Sequence, residues 1–263
     1  MQNQYVGDIG DFGKFGLLRN LAQSTGLRFG VNWYFVGPQG SREVQNSDGG
    51  HIAYLLKGDS CREYDPILFD KLYSIVKPEE SGTRVVSRGQ REVSALEKAE
   101  ILSRGTVFYS KILDLSLGGR DQWVENGLDA LKDCEIVFFD PDNGFPPIKN
   151  CDFDVSAPKT SKKSMKYAYH EELIRYFERG QSLIVYQHRT REKEEKYGWR
   201  FQKIKKIIPG KKEILYVRFH WTSGRDYVFI LQPKHKQVME VALRSFLEGR
   251  WGKKGIFSEV CYV

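Results

Sequence analysis

The chain has 263 residues, of which 40% are hydrophobic, so it is long and apolar enough for a buried core. Its formal net charge is +7 at pH 7, with 41 Lys or Arg against 34 Asp or Glu. No apolar run approaches the roughly 20 residues that span a bilayer, and the polar, glycine-rich start is unlike a signal peptide. We therefore expect a cytoplasmic protein that does not bind membranes. The four cysteines have no C-x-x-C spacing, which argues against a structural zinc site and a disulfide framework.

The positive charge is concentrated in one region of the chain. From Lys159 to Lys212 there are sixteen Lys or Arg against six Asp or Glu, and aromatic residues such as Tyr167, Tyr169 and Trp199 lie among them. Basic side chains bind a phosphate backbone and aromatic faces stack on bases, so this region predicts a nucleic-acid partner, either RNA or DNA. A solvated, lysine-rich helix is the alternative interpretation.

The first half of the chain predicts alternating helices and strands, taken here in order. Asp11 is the expected N-cap of a first helix that ends at Ser24. The pattern then predicts a strand over Leu27–Val36, helices over Pro66–Val76 and Arg91–Arg104, a strand over Thr106–Ser110 and a helix over Arg120–Asp133.

The second half begins with the strongest element, a buried strand over Ile136–Phe139 that runs directly into acidic and turn-forming residues. The later pattern predicts a helix over Tyr169–Gly180, a strand over Gln181–His188, a charged helix over Arg189–Ile208, hairpin strands over Lys211–Trp221 and Arg225–Pro233, a helix over Lys234–Gly249 and a short C-terminal strand. We expect one α/β domain over residues 1–263, with a basic insertion around 150–212. Parallel strands that finish in an antiparallel hairpin are the arrangement of the Rossmann-like fold of class I S-adenosylmethionine-dependent methyltransferases.

Four glycines at intervals of three precede or begin the first helix, at positions 7, 10, 13 and 16. Glycines at the start of a helix let the backbone approach a ligand, and a helix N-terminus favours an anion. The segment is not a P-loop, because Lys14 is followed by Phe15 rather than Ser or Thr, and no strand precedes it as in a dinucleotide-binding motif. The alternative is that these glycines allow tight helix packing.

The six residues from Asp140 to Phe145, Asp-Pro-Asp-Asn-Gly-Phe, are the sharpest candidate for a catalytic motif. The fourth motif of class I amino-methyltransferases has the form Asp/Asn-Pro-Pro-aromatic, and its first two residues match here. In that motif the acidic oxygen accepts a hydrogen bond from the target amine, and the aromatic ring stacks on the extruded base. By that resemblance Asp140 would orient the amine and Phe145 would stack on the base.

The chain also resembles the J-type bacterial methyltransferases that modify an adenine amino group of large-subunit ribosomal RNA. Their N-terminal motif, Gly-Asn-x-x-Asp-x-x-Lys, has the spacing found here from Gly7 to Lys14. The resemblance implies an enzyme that uses S-adenosylmethionine and acts on a nucleic-acid amino group, most simply adenine. The cofactor-binding residues that it implies are Gly7, Asp8, Asp11 and Lys14, with Gly37 and Gly40 in the "VGPQG" segment.

Two other functions remain open on the sequence. In the first, Asp140 and Asp142 hold a magnesium ion and a nearby lysine supports the attacking water of a nuclease. In the second, the same fold binds nucleic acid without catalysis. His188, at the end of a buried strand, is a candidate general base or phosphate-binding residue. The expected phosphate-binding residues are Lys159, Lys162, Lys166, Arg189 and Arg191. The sequence predicts nothing about the oligomeric state.

Overall fold

The computed structural model describes residues 1–36, 50–82, 84–116, 118–149, 152–153, 161–190, 192–222 and 224–263. Its helices are α1 (Ile9–Thr25), α2 (Asp59–Arg62), α3 (Pro66–Val76), α4 (Val93–Lys98), α5 (Gly119–Ala130), α6 (His170–Glu178), α7 (Glu194–Ile207), α8 (Pro233–Glu248) and α9 (Arg250–Lys253). Its strands are β1 (Phe29–Asn32), β2 (Pro78–Ser81), β3 (Arg84–Ser87), β4 (Val107–Tyr109), β5 (Ile136–Phe139), β6 (Ile148–Lys149), β7 (Asp152–Phe153), β8 (Ser182–His188), β9 (Glu213–Phe219), β10 (Arg225–Leu231) and β11 (Cys261–Tyr262).

Seven of these strands form one sheet in the order β11-β9-β10-β8-β5-β1-β4. β4, β1, β5 and β8 are parallel, and β1 pairs with β5 in the register Asn32 to Phe139. β10 is antiparallel to both β8 and β9, and β11 is antiparallel to β9. The predicted α/β class and the antiparallel hairpin of β9 and β10 are therefore confirmed. β2 and β3 form a separate antiparallel pair, as do β6 and β7.

The sheet is buried on both faces, which explains the continuous apolar run of β5. Ile136 and Phe138 face a core that includes side chains of α1, α3, α8 and α9, whereas Val137 and Phe139 face a core that includes side chains of α5, α6 and α7. A parallel strand covered on both faces has no solvent side and so shows no alternation of polar residues. The structure is thus a sheet between two layers of helices.

Some predicted elements match closely and others differ in their bounds. α3 and β5 have the predicted bounds. The helix predicted over Arg91–Arg104 is confined to Val93–Lys98, because the chain turns at Glu100, which has a positive φ of 47°, and then buries Ile101. The prediction of Asp11 as N-cap was wrong: α1 is capped by Asp8, whose side chain accepts a hydrogen bond from the Asp11 backbone nitrogen at 2.9 Å.

The helical glycines of α1 lie against bulky side chains of the sheet and of α9. A Cβ atom at Gly10 would come within 2.6 Å of the Arg225 guanidinium carbon, and one at Gly13 would overlap the Phe219 ring. A Cβ atom at Gly16 would likewise overlap Trp251. These glycines let α1 pack closely on β9, β10 and α9, as the alternative interpretation of the sequence proposed. No helix in the described ranges is long and apolar enough to cross a bilayer.

Candidate functional site

A cavity of about 370 Å³ opens at the edge of the sheet where the parallel strands end. The chain leaves β5 at Asp140 and β8 at His188, and the first turn of α1 lies opposite them. In open α/β sheets this edge is where ligands bind, because the strand ends diverge and leave a crevice. Seven residues proposed from the sequence line it: Asp8, Asp11, Lys14, Asp140, Asp142, Lys166 and His188.

Lys14 joins the two motifs that the sequence singled out. Its Nζ lies 2.8 Å from Asp140 Oδ2 and 2.7 Å from Asp11 Oδ1, and the Lys14 side chain is 5% exposed. Burial alone would lower the pKa of Lys14, but the carboxylates of Asp11 and Asp140 outweigh burial and raise it above its ordinary value. The lysine is therefore a fixed positive charge between two carboxylates that are 129 positions apart in the chain.

Two hydrogen bonds at the start of α1 fix Asp11. The Asp8 side chain, at the N-cap, accepts from the Asp11 nitrogen, and Asp11 Oδ2 accepts from the Gly7 nitrogen, each at 2.9 Å. The Asp8 cap satisfies one of the free backbone donors of the first turn. Burial raises the pKa of Asp11 to about 6, against the opposing effect of the Lys14 charge. The acidic end of α1 can therefore change its charge within the physiological range.

Asp142 holds the start of the chain against the cavity. Its side chain accepts a hydrogen bond from Gln2 Nε2, and its Oδ1 lies 3.5 Å from the Met1 nitrogen. The Met1 nitrogen also donates to the carbonyl oxygens of Trp33 and Asp140, each at 2.8 Å. The first residues thus form one wall of the cavity and bridge the ends of β1 and β5.

A second segment, residues 161–168, reaches the cavity from the other side and brings Lys166 to it. The Asn143 nitrogen donates to the Lys166 carbonyl at 2.9 Å, and the Lys166 side chain is 43% exposed with its Nζ 3.9 Å from Asp142 Oδ2. The fold therefore places an accessible cation directly beside the Asp140 motif.

The buried side chain of Arg120 holds this segment in place. It donates to the carbonyl oxygens of Ser164 at 3.1 Å and Tyr167 at 2.8 Å, and it pairs with Glu172 at 2.5 Å. Glu172 in turn accepts a hydrogen bond from the Tyr34 hydroxyl at 2.6 Å, just beyond the end of β1. One network therefore ties the segment carrying Lys166 to α5, α6 and the central strand.

His188, Tyr186 and Arg225 form the wall contributed by β8 and β10. His188 pairs with Arg225 in the antiparallel register. Burial and the Arg225 charge together lower the pKa of His188, so its imidazole is neutral at pH 7 and can accept a proton. Burial raises the pKa of Tyr186 to about 12, which keeps its hydroxyl protonated. Arg225 had no signal in the sequence that marked it as a site residue, whereas Tyr186 is one of the aromatic residues of the basic region proposed to bind nucleic acid.

Several residues proposed from the sequence lie elsewhere. Phe145 is 1% exposed in the core below the cavity, where its backbone nitrogen donates to Gln187 Oε1 at 2.9 Å. It does not line the cavity, so the expected stacking of Phe145 on a base is not available in this conformation. Gly7 and the exposed Lys162 also lie outside the lining, and Arg189 belongs to a neighbouring cluster. Gly37, Gly40, Lys159 and Arg191 lie outside the described residues.

The magnesium alternative requires carboxylate and other oxygen ligands gathered around one point. Two carboxylates, Asp140 and Asp142, do line the cavity. Over the ranges that the structure describes, no group of three or more His, Cys, Asp or Glu side chains is arranged to hold a metal ion. Asp140 is instead paired with Lys14, and Asp142 with groups of the first two residues.

Comparison with known proteins gave little. No protein-family model matches the chain, and no curated protein matches it significantly. Among solved structures, the chain is similar to a crystal structure of a protein from Legionella pneumophila str. Philadelphia 1 with the family-model description DUF519. The two are 15% identical, the match covers 97% of each chain, and the TM-score is 0.46. A likeness this weak indicates nothing about the activity of this chain.

Proposed function

We propose that this protein is a class I-like methyltransferase that transfers a methyl group from S-adenosylmethionine to a nucleic-acid amino group, most simply that of adenine. The observation that carries the proposal is the direct contact between two sequence motifs. Lys14, from the segment that begins at Gly7, lies 2.8 Å from Asp140, the first residue of the Asp-Pro motif, on the wall of one cavity. The strand arrangement, parallel strands followed by an antiparallel hairpin, is the one expected for this class.

The chemistry of the cavity suits the proposed donor. S-adenosylmethionine carries a sulfonium and an ammonium, which acidic groups attract, and a carboxylate, which a cation attracts. The lining offers both charges, with the carboxylates of Asp8 and Asp11 near the cations of Lys14 and Arg225. A volume of about 370 Å³ lies in the range of small-molecule sites, about 300 to 1,000 Å³. When bound, the donor would supply an electrophilic methyl group.

Asp140 is the residue that would orient the target amine. Lys14 fixes Oδ2, which leaves Oδ1 to accept a hydrogen bond from the amine and to point the nitrogen lone pair at the methyl carbon. As the new nitrogen–carbon bond forms and the sulfur–carbon bond breaks, the amine must release a proton. The neutral imidazole of His188 lines the same cavity and can accept it.

Substrate contacts would come from the opposite side of the cavity. Lys166 is exposed beside Asp142 and can neutralise a phosphate. Tyr186 and Tyr5 line the cavity and are the aromatic side chains that can contact a base there, in place of Phe145. This assignment replaces the stacking residue suggested by the motif but keeps the role of Asp140.

The test is methyl transfer from labelled S-adenosylmethionine to RNA and DNA oligonucleotides. Asp140→Asn should lower the rate by about a hundredfold or more, because the amide binds the amine and Lys14 less well. The matched control is Asp129→Asn, on a side chain that is 80% exposed on α5, which should leave the rate unchanged. A rate in Asp140→Asn equal to that of the wild type would refute the assignment. Cleavage of the oligonucleotide that requires magnesium would favour the nuclease, and binding without any reaction would favour the silent binder.

A further inference from the structure

Beside the cavity, three arginines surround one tyrosine. The guanidinium carbons of Arg189, Arg200 and Arg218 lie 4.9, 5.4 and 5.9 Å from the centre of the Tyr197 ring. Below them, the Tyr197 hydroxyl donates to Asp226, which is fully buried and also pairs with Arg218 at 2.7 Å. We call these three arginines, with Tyr197, the arginine cluster. Asp226 therefore fixes the Tyr197 ring and the Arg218 guanidinium.

The cluster has more donors than acceptors. Nη1 of Arg189, together with Nε and Nη1 of Arg200, is buried and has no hydrogen-bond acceptor within the part of the chain that the structure describes. Arg200 is 2% exposed, and its Nη2 donates to Glu192 at 3.1 Å. Buried donors without an acceptor are unfavourable, so such a group marks a place where an anion or water would complete the bonding.

Glu194 lies across the outer face of the cluster. One carboxylate oxygen accepts from Arg189 Nη2 and the other from Arg218 Nη2 at 3.3 Å, although 59% of the Glu194 side chain is exposed. The hydrogen bond from Arg189 is the largest influence that holds the pKa of Glu194 below its ordinary value, so it is an anion at pH 7. Exposed ion pairs are weak, and an external anion can therefore replace this carboxylate.

The cluster adjoins the cavity through two neighbouring strands. Arg189 follows His188, which lines the cavity, and the Arg189 nitrogen donates to the Gly224 carbonyl at 3.1 Å. Gly224 in turn precedes Arg225, which also lines the cavity. Arg189 therefore follows one cavity residue in the chain and is hydrogen-bonded to the residue that precedes another.

We propose that the arginine cluster binds a backbone phosphate of the nucleic acid, next to the nucleotide whose base enters the cavity, and that Glu194 occupies this phosphate site when no nucleic acid is bound. This inference rests on the proposed function and adds the arginine cluster to the residues that would contact the nucleic acid. The planar guanidinium fork matches a phosphate in geometry and charge, and two oxygens of one phosphate can replace the two oxygens of Glu194.

The experiment measures binding of a labelled single-stranded oligonucleotide of about twelve nucleotides, as RNA and as DNA, by fluorescence anisotropy without any methyl donor. Arg189→Gln should weaken binding by about tenfold and reduce the slope of log Kd against log salt by about 0.7, the value for one lost phosphate contact on a single strand. Arg189→Lys keeps the charge but loses the fork, so it should weaken binding less and leave the slope unchanged.

Glu194→Gln gives the more discriminating result. If Glu194 competes with phosphate, its removal should strengthen oligonucleotide binding by about threefold or more. The control, Glu195→Gln, removes the same charge from the neighbouring exposed position and should change oligonucleotide binding less than twofold. Equal effects of the two glutamate variants would mean general charge repulsion and would overturn the proposal. So would unchanged binding in Arg189→Gln when its melting temperature equals that of the wild type.

The outcome separates this inference from the proposed activity. Oligonucleotide binding that depends on Arg189, in a protein that fails to bind or use S-adenosylmethionine, would refute the methyltransferase and keep the phosphate site. Methyl transfer by a protein whose oligonucleotide binding is unchanged in the Arg189 and Glu194 variants would support the methyltransferase and refute the phosphate site.

Discussion

Replacement of Lys14 by Met tests the contact on which the site depends. The side chain keeps its length and apolar stem but loses the charge that lies 2.7 Å from Asp11 and 2.8 Å from Asp140. All three side chains are buried, with exposed fractions of 3 to 6%. The variant therefore leaves two carboxylates close together, out of water and without their cation.

Removing one partner of a buried ion pair costs about 3 to 5 kcal/mol in the free energy of unfolding. The loss should depend on pH. Lys14 opposes the rise in the pKa of Asp11 on folding, so without Lys14 that pKa rises further above its value in the unfolded chain. The folded variant then binds more protons than the unfolded chain, and its stability falls as pH rises. The deficit relative to the wild type should therefore be largest near pH 8 and should shrink toward pH 5.

Urea unfolding followed by tryptophan fluorescence at pH 5, 6, 7 and 8 measures this deficit. We expect a difference of at least about 3 kcal/mol at pH 8 and a clearly smaller one at pH 5. A deficit below about 1 kcal/mol at every pH, the size of an exposed pair, would refute the reasoning. A deficit that does not shrink between pH 8 and pH 5 would refute it as well, because it would mean that Asp11 takes up no proton in the folded variant.

Three further predictions concern α1 and the segment beside the cavity. The pKa of Asp11 rises from 3.8 to about 6 on folding, so between these values the folded protein loses up to about 1.4 kcal/mol of stability per pH unit as pH rises. The free energy of unfolding of the wild type, relative to that of Asp11→Asn, should therefore fall as pH rises over that interval. A flat or rising difference in urea unfolding would contradict this. Gly13→Ala places a methyl group into an aromatic ring and should cost about 1 to 3 kcal/mol, whereas Gly198→Ala, a helical glycine with open space around it, should be neutral or stabilising; equal melting temperatures would be inconsistent with close packing. Arg120→Met should speed amide hydrogen exchange in residues 164–167 at least tenfold, because two hydrogen bonds to that region and its link to Glu172 are lost. Unchanged exchange there would mean that the segment is held by other contacts.

Long, strongly patterned elements could be predicted from the sequence because local signals and tertiary burial agree. The strand Ile136–Phe139 combines four consecutive apolar residues with an Asp-Pro stop, and the helix Pro66–Val76 begins with a proline after an aspartate N-cap. In contrast, the hairpin of Pro78–Ser81 and Arg84–Ser87 could not be found, since its first strand reads Pro-Glu-Glu-Ser and lacks any apolar alternation. The pairing of such strands is set by their neighbours.

Site residues could be predicted where they belong to a short sequence motif. The contacts between residues that are far apart in the sequence could not. Asp140 and Lys14 each belong to a recognisable motif, although neither motif indicates that the two residues touch. Arg225 begins an ordinary strand, and tertiary packing places its guanidinium against Gly10 at the cavity. The position of Phe145 was misjudged because the turn at Gly144, with a φ of 89°, directs the following ring into the core.

The most direct test of the central claim is a calorimetric titration of the protein with S-adenosylmethionine and with its demethylated product, with magnesium as a separate titrant. We expect micromolar binding of both nucleosides at one site, weakened at least tenfold in Lys14→Met under conditions where that variant is folded. No detectable heat with either nucleoside, in protein that is fully folded, would contradict the proposal that the cavity formed by Lys14 and Asp140 is a methyl-donor site.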